Sequence, residues 1–196
     1  LVYCIHQAEN GDVYAATNKG IFQFNKKKDT FVLPSWYKPY ISSSDTETVY
    51  CVTDIEDALW LGTYGGGVFR YSLTDGSIKQ YIHSSDNLNS LSDNVIYFIE
   101  EDSHKNIWIG TNRGLNKYNP ETDDFSSWIY NSSNPKGIGG KSVVCMTEDS
   151  EGNLLFGFKS AGFSIMNPKN GLFKTITTKN GLPSNSVVGI SQAKRS

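Results

Sequence analysis

Asn106–Tyr118 reads NIWIGTNRGLNKY. A short apolar run, Ile107–Gly110, is followed by a polar turn with glycine, Asn112–Gly114, and a returning run, Leu115–Tyr118. Turn residues of this kind between β-rich runs signal a hairpin. The pattern is written three more times: DVYAATNKGIFQF at Asp12–Phe24, ALWLGTYGGGVFRY at Ala58–Tyr71 and, more loosely, NLLFGFKSAGFSI at Asn153–Ile165. Aligned on Tyr14, Trp60, Trp108 and Leu155, the copies recur about every 47 residues. A fixed period of this length marks a repeat architecture.

Working outward, each hairpin is preceded by another strand-like run: Val2–His6, Val49–Thr53, Val95–Ile99 or Val143–Thr147. An acidic turn joins the two. A fourth run closes each unit: Thr30–Leu33, Ile78–Ile82, Phe125–Ile129 or Phe173–Thr177. Asn10-Gly11, Asp75-Gly76 and Asn170-Gly171 suit turns that need positive φ. No helical periodicity of useful length occurs. Four strands in such a period predict β-propeller blades. The expected fold is therefore all-β, with four-stranded antiparallel blades near residues 2–41, 49–84, 95–131 and 143–178. The first strand of a fifth is expected at 185–191. A seven-bladed ring would need roughly 330 residues, so a partial propeller, open as an arc, is expected. Its bare N-terminal face would be lined by Val2, Cys4 and Tyr14 or their strand neighbours. The remaining blades of a longer protein, or another copy, would cover it. A chain that opens without Met inside a repeat reads as a segment of something longer.

Composition narrows the function classes. The 196 residues are 38% hydrophobic and 13% aromatic with a net charge of −2, which suits a folded β protein. This balance offers no electrostatic case for nucleic acid or a direct membrane contact. No window approaches the ~20 apolar residues of a membrane span. Cys4, Cys51 and Cys145 each follow a valine by two residues. Tyr97, after Val95, takes that place in the third repeat. Equivalent positions in successive repeats point in parallel, so the thiols should pack as small apolar groups rather than converge. Trp60 and Trp108, with Tyr14 as counterpart, are expected to fill the space between blades.

The run EEDSHKNIWIGTNRGLNKYNPETDDF at Glu100–Phe125 resembles the two-component regulator propeller repeat. The linkers DNLNSLSDNV at Asp86–Val95 and NGLPSNSV at Asn180–Val187 are similar to those that join blades in that family. Tyr14 and Leu155 depart from its tryptophan. The resemblance implies a periplasmic sensor propeller of a bacterial hybrid two-component receptor, often reading glycan fragments. In such receptors a membrane span and a cytoplasmic histidine kinase lie elsewhere in the protein.

By analogy with propeller architecture, the loops after each second strand and between blades share one face. They supply Tyr64, Asn112, Arg113 and Lys159, with Trp36, Tyr37 and Asn134, as candidate ligand contacts. The same loops also supply Asn18, Lys19, Lys38, Tyr40, His83, Asn87, Asn89, Lys136 and Ser160. Aromatic planes beside amides and cations suit a sugar or a sulfated sugar, as an oligosaccharide ligand, with amides and cations binding hydroxyls or anions. Trp36 and Tyr37 stand out because two adjacent rings in a Ser/Pro-bounded loop have no evident strand role. A propeller lyase or hydrolase is the competing class, and a passive protein-interaction scaffold a third. Catalysis needs an acid and base within reach of one another, whereas His6, His83 and His104 fall at three levels of a blade. Asp102 and Asp149 occupy the same turn of successive repeats and read as turn formers. DSHKN and DSEGN lack calcium-loop spacing. No cofactor or metal motif is found, and no catalytic residue is assigned.

Overall fold

The computed structural model describes residues 1–37 and 48–191; Lys38 and Tyr40 lie outside them. The chain is all-β, four antiparallel sheets of four strands in sequence order. The first sheet comprises β1 (Val2–Gln7), β2 (Val13–Thr17), β3 (Gly20–Asn25) and β4 (Thr30–Val32). The second comprises β5 (Val49–Ile55), β6 (Ala58–Thr63), β7 (Val68–Ser72) and β8 (Ile78–Tyr81). β9 (Ile96–Glu101), β10 (Ile107–Thr111), β11 (Gly114–Asn119) and β12 (Asp124–Ile129) form the third. β13 (Val143–Glu148), β14 (Leu154–Phe158), β15 (Phe163–Asn167) and β16 (Leu172–Ile176) form the fourth. Among the described residues a single 3-10 turn spans Thr178–Asn180. Among the described residues no helix is long and apolar enough to cross a membrane.

The first strand of each sheet packs on the first strand of the next: β1 on β5, β5 on β9 and β9 on β13. These edge strands line a common axis, and the fourth strands lie outermost. Among the described residues no comparably close packing joins β13 to β1. The four blades form an open arc.

Sheets packed face to face bury their apolar faces against each other. Three cores result, one between each pair of neighbouring blades. Tyr14, Trp60 and Trp108 each enter one, all three buried. They share a register, opposite His6, Thr53 and Glu100 on the first strands. Tyr14 therefore does not line a bare N-terminal face, contrary to expectation, because its side of the sheet faces the second blade. Cys4 likewise packs against that core. The open aliphatic residues of β1 are Val2 and Ile5, 56% and 68% exposed.

Cys4, Cys51 and Cys145 are free thiols. Cys51 and Cys145 lie opposite Gly62 and Gly157, where a Cβ would come within 2.5 Å of either sulfur. Burial raises the Cys51 thiol to about 12, which leaves it protonated and unreactive at neutral pH. In the third blade the equivalent residue is Phe98 after Ile96, opposite Gly110. This corrects the alignment of Tyr97 after Val95. Val95 and Ile96 are adjacent β-branched residues, and the pairing with β10 shows that Ile96 takes the place of Val49.

The turn between first and second strands is built by its acidic residue. Asp102 Oδ1 accepts from the N–H groups of His104 and Asn106, each at 2.9 Å. Asp149 Oδ1 does the same for Glu151 and Asn153. Asp102 Oδ2 also accepts from Trp108 Nε1 at 2.8 Å. Burial alone would raise the Asp102 carboxyl, but these donors outweigh it and hold the group below its usual range. Its stabilising contribution is thus full above about pH 4, the unfolded value, and lost as pH falls through the lower folded one. Asp102→Ala is expected to cost about 2–3 kcal/mol at pH 7, since it strips buried donors of a charged acceptor. In thermal melts the gap from wild type should close below about pH 4; a gap independent of pH would refute this account.

Residues 185–191 form no strand, against the expectation of a fifth blade's first strand. Each first strand pairs with the second strand of its own sheet, and no such partner exists among the described residues. The segment instead docks on the fourth blade. Gly162 N–H donates to Asn185 O at 2.8 Å, and Val187 N–H to Phe158 O at 3.0 Å. Gly67 N–H donates in the same way to Asn94 O, in the linker after the second blade.

Candidate functional site

Two rows of residues meet at one end of the axis. The first comes from bulges in the first strands. Pairing skips one residue between Val2 and Cys4, between Val49 and Cys51, between Ile96 and Phe98, and between Val143 and Cys145. The skipped residues are Tyr3, Tyr50, Tyr97 and Val144. A bulge frees its extra residue from the ladder and re-aims the side chain. The second row is the first residue beyond each second strand: Asn18, Tyr64, Asn112 and Lys159. Their backbone N–H groups donate to the carbonyls of Leu1, Thr48, Val95 and Ser142 at 3.0–3.2 Å. These repeated bonds place the two rows side by side.

The rings touch one another across three blades. Tyr3 meets Tyr50 edge-on with centroids 4.7 Å apart. Tyr64 meets Tyr50 in the same way at 5.7 Å. Tyr97 stacks on Tyr50 at 6.1 Å with 16° between planes. Tyr97 Oη donates to Asn112 Oδ1 at 3.2 Å, and Ser142 Oγ reaches the same oxygen at 3.1 Å. Tyr3 and Tyr64 are 41% and 52% exposed. Burial first, then the neighbouring phenols, raises the Tyr50 hydroxyl; burial and Asp93 raise that of Tyr97. Both keep their protons and can donate.

The residues anticipated from sequence separate into four places. Tyr64, Asn112 and Lys159 share the second row. Arg113, adjacent to Asn112, turns away and lines a cavity of about 320 Å³ with His83, Asn87 and Leu88. Asn134 caps its own loop, its Oδ1 accepting from Lys136 N–H at 3.2 Å. Trp36 and Tyr37 have structural roles instead. Tyr37 is fully buried between the first two blades, and Trp36 lies flat on Tyr71 with centroids 4.1 Å apart. Burial removes Tyr37 from any solvent-facing site. Tyr3, Tyr50 and Tyr97 were missed, although Val-Tyr-Cys at Val2–Cys4 and Val49–Cys51 and Ile-Tyr-Phe at Ile96–Phe98 carried the signal.

Two further cavities open at the opposite end of the blades, of about 500 and 530 Å³. Trp60 lies at the floor of one, with Arg70 over its ring at 5.4 Å. Trp108 and Trp128 line the other. The buried Trp60 and Trp108 rings belong to the cores already described. The histidines stay apart: His6 Nε2 meets Asp54 Oδ1 at 2.5 Å, His83 Nδ1 meets Leu91 O at 2.7 Å, and His104 Nδ1 meets Ser103 Oγ at 3.2 Å. Among the described residues no group of three or more His, Cys, Asp or Glu could hold a metal ion.

Residues 90–113 match the family described as two component regulator propeller, the resemblance that the repeats carried. Over 61 residues the chain is 33% identical to histidine kinase P4 of Formosa agariphila, a match covering 31% of the chain and 4% of that protein. In three dimensions it resembles an extracellular domain described as part of a hybrid two component system of B. thetaiotaomicron. That match has a TM-score of 0.74 at 21% identity and covers 90% of this chain and 24% of the other. A second such domain gives 0.70 at 23% identity, over 89% and 22%. Catalytically inactive virginiamycin B lyase of Staphylococcus aureus gives 0.61 at 17% identity, over 91% and 57%. At these identities the likeness is one of fold, the propeller. The chain spans about a quarter of the length of the two-component structures it matches.

Proposed function

We propose that this chain, which carries the two-component regulator propeller repeat, is an extracytoplasmic ligand-sensing segment of a two-component receptor. It recognises an oligosaccharide and passes the signal to a histidine kinase elsewhere in the full protein. The observation that carries this reading is the row of open tyrosine, amide and hydroxyl groups at the axis. Such groups match both the apolar faces and the hydroxyls of a sugar. The matched repeat, the histidine kinase relative and the extracellular two-component neighbours support the location and the signalling role. Further blades would cover Val2 and Ile5.

The test is thermal unfolding of the full-length protein against a panel of oligosaccharides, with chromatography of the sugars afterwards. A ligand at a hundred times its Kd should stabilise by about 2.7 kcal/mol and be recovered intact. Cleavage of the sugar would favour the lyase or hydrolase reading. No stabilisation by any oligosaccharide would reject glycan sensing.

A further inference from the structure

We propose that the cavity between the third and fourth blades binds a small aromatic carboxylate. It opens at the end of the blades opposite the wall of tyrosines formed by Tyr3, Tyr50, Tyr64 and Tyr97. The ligand's ring would stack on Trp128, and its carboxylate would meet Lys117 and Lys169. This site is separate from the one proposed for the oligosaccharide, and neither depends on the other.

Three clefts built from the same repeat close in different ways. Tyr71, Tyr118 and Met166 share a register, opposite Ile78, Phe125 and Phe173 on the fourth strands. Between the first and second blades, Trp36 lies flat on Tyr71 and covers it. Between the second and third, Asp123 Oδ1 accepts from Tyr118 Oη at 2.7 Å and from Tyr81 Oη at 2.6 Å. Lys79 pairs with the other oxygen of Asp123, and the outer part of that cleft is shut. Between the third and fourth blades all four partners are exchanged. Met166 stands in the place of Tyr118, Trp128 of Tyr81, Ser126 of Lys79 and Gly171 of Asp123. The lock of the second cleft has no counterpart, and a Cβ on Gly171 would meet nothing within 4 Å. A cavity of about 530 Å³ remains, a size usual for small-molecule sites.

The lining selects the ligand. Trp108, Leu154 and Met166, rooted in the core, give the cavity an apolar floor. Trp128 is only partly buried, its ring centroid 5.4 Å from that of Trp108 and tilted by 40°. It leaves indole surface on which a planar ring can stack. Lys117 and Lys169 line the same cavity, and among the described residues neither joins an ion pair. The carboxylates of the lining do not neutralise them. Both Asp102 oxygens accept from donors of His104, Asn106 and Trp108. Glu151 lies exposed at the rim, where water and salt screen its charge. Two unpaired ammonium groups beside an aromatic floor suit an anion carried on a planar ring.

Isothermal titration of the full-length protein tests this with phenylacetate, 4-hydroxybenzoate, cinnamate and indole-3-acetate, each beside its neutral amide. Hexanoate serves as an acid without a ring. At least one aromatic acid should bind, with its amide and hexanoate roughly tenfold weaker or more. Lys117→Gln and Lys169→Gln should each weaken that acid roughly tenfold, the loss of one charged partner. Gly171→Asp, which returns the carboxylate of the preceding cleft, should abolish binding. Asp123 holds a φ of +54° at the equivalent position, so Gly171→Asp is expected to fold, and a thermal melt checks this. Lys169 is exposed, and its variant keeps the test open whatever that melt shows. An amide that binds as tightly as its acid would overturn the anionic assignment, and equal binding of hexanoate the aromatic one. An acid whose affinity is unchanged in both lysine variants would overturn the site. No binding by any of the four aromatic acids would overturn the proposal as a whole.

Discussion

Trp108→Ala is expected to destabilise the chain by about 3–5 kcal/mol, the range for deleting a large buried aromatic. The indole is buried in the core between the third and fourth blades, with Leu115, Leu154, Phe156 and Met166. Its centroid lies 5.7 Å from that of Phe156. Neighbouring sheets cannot close over the missing ring, because each is held rigid by its own four-strand ladder. The cavity therefore persists, and its lining loses dispersion contacts. A second effect adds to this: Asp102 loses the Nε1 donor and keeps its other bonds. Trp108→Leu, which borrows the residue that the fourth blade uses at Leu155, should cost less because the cavity is smaller. Urea denaturation of both variants checks the ranking. A loss below about 1 kcal/mol for Trp108→Ala would contradict its role between blades.

Gly67→Ala and Gly162→Ala should be nearly as damaging, at about 3 kcal/mol or more each. Both residues sit after the second strand of a blade with φ of +71° and +74°. A Cβ on Gly67 would lie 2.1 Å from Tyr81 O, and one on Gly162 would lie 2.0 Å from Ile176 O. The obstacle in both cases is backbone of the fourth strand, which cannot swing away as a side-chain tip could. Relief would require breaking β8 from β7, or β16 from β15. It would also disturb the linkers, since the N–H groups of both glycines donate to Asn94 and Asn185. Gly171→Ala is the control. Its φ is +66°, but a Cβ there would meet nothing within 4 Å, so only the backbone penalty of about 1 kcal/mol remains. Equal losses in all three variants would remove the close approach from the explanation.

How much was legible depended on how far apart the interacting residues lie. The hairpin around Asn112–Gly114, the positive φ at Gly11, Gly76 and Gly171, and the bonds of Asp102 and Asp149 all lie within a few residues. Local chemistry repeated four times makes such features readable. The register of the third blade was not, because Val95 and Ile96 are both β-branched and either could match Val49; the pairing with β10 selects Ile96 and Phe98. Trp36 and Tyr37 looked free for the same kind of reason. The partner of Trp36 is Tyr71, and the pocket that buries Tyr37 is closed by the second blade.

From the sequence alone, then, come the period, the four strands of each repeat and the burial of Trp60 and Trp108. All three follow from local propensity and from a hydrophobic pattern that must hide one side of every sheet. Which polar and aromatic groups form a common surface was decided only by the tertiary structure. Tyr3, Tyr50 and Tyr97 stand about a repeat apart in the chain, and they meet because the first strands converge on one axis while the bulges turn their rings toward it. Asn112 and Arg113 are neighbours in sequence, yet one joins that wall and the other a separate cavity. Both sit in the tight turn between β10 and β11, where successive side chains leave the backbone in different directions, and only the packing of whole blades determines what lies on each side.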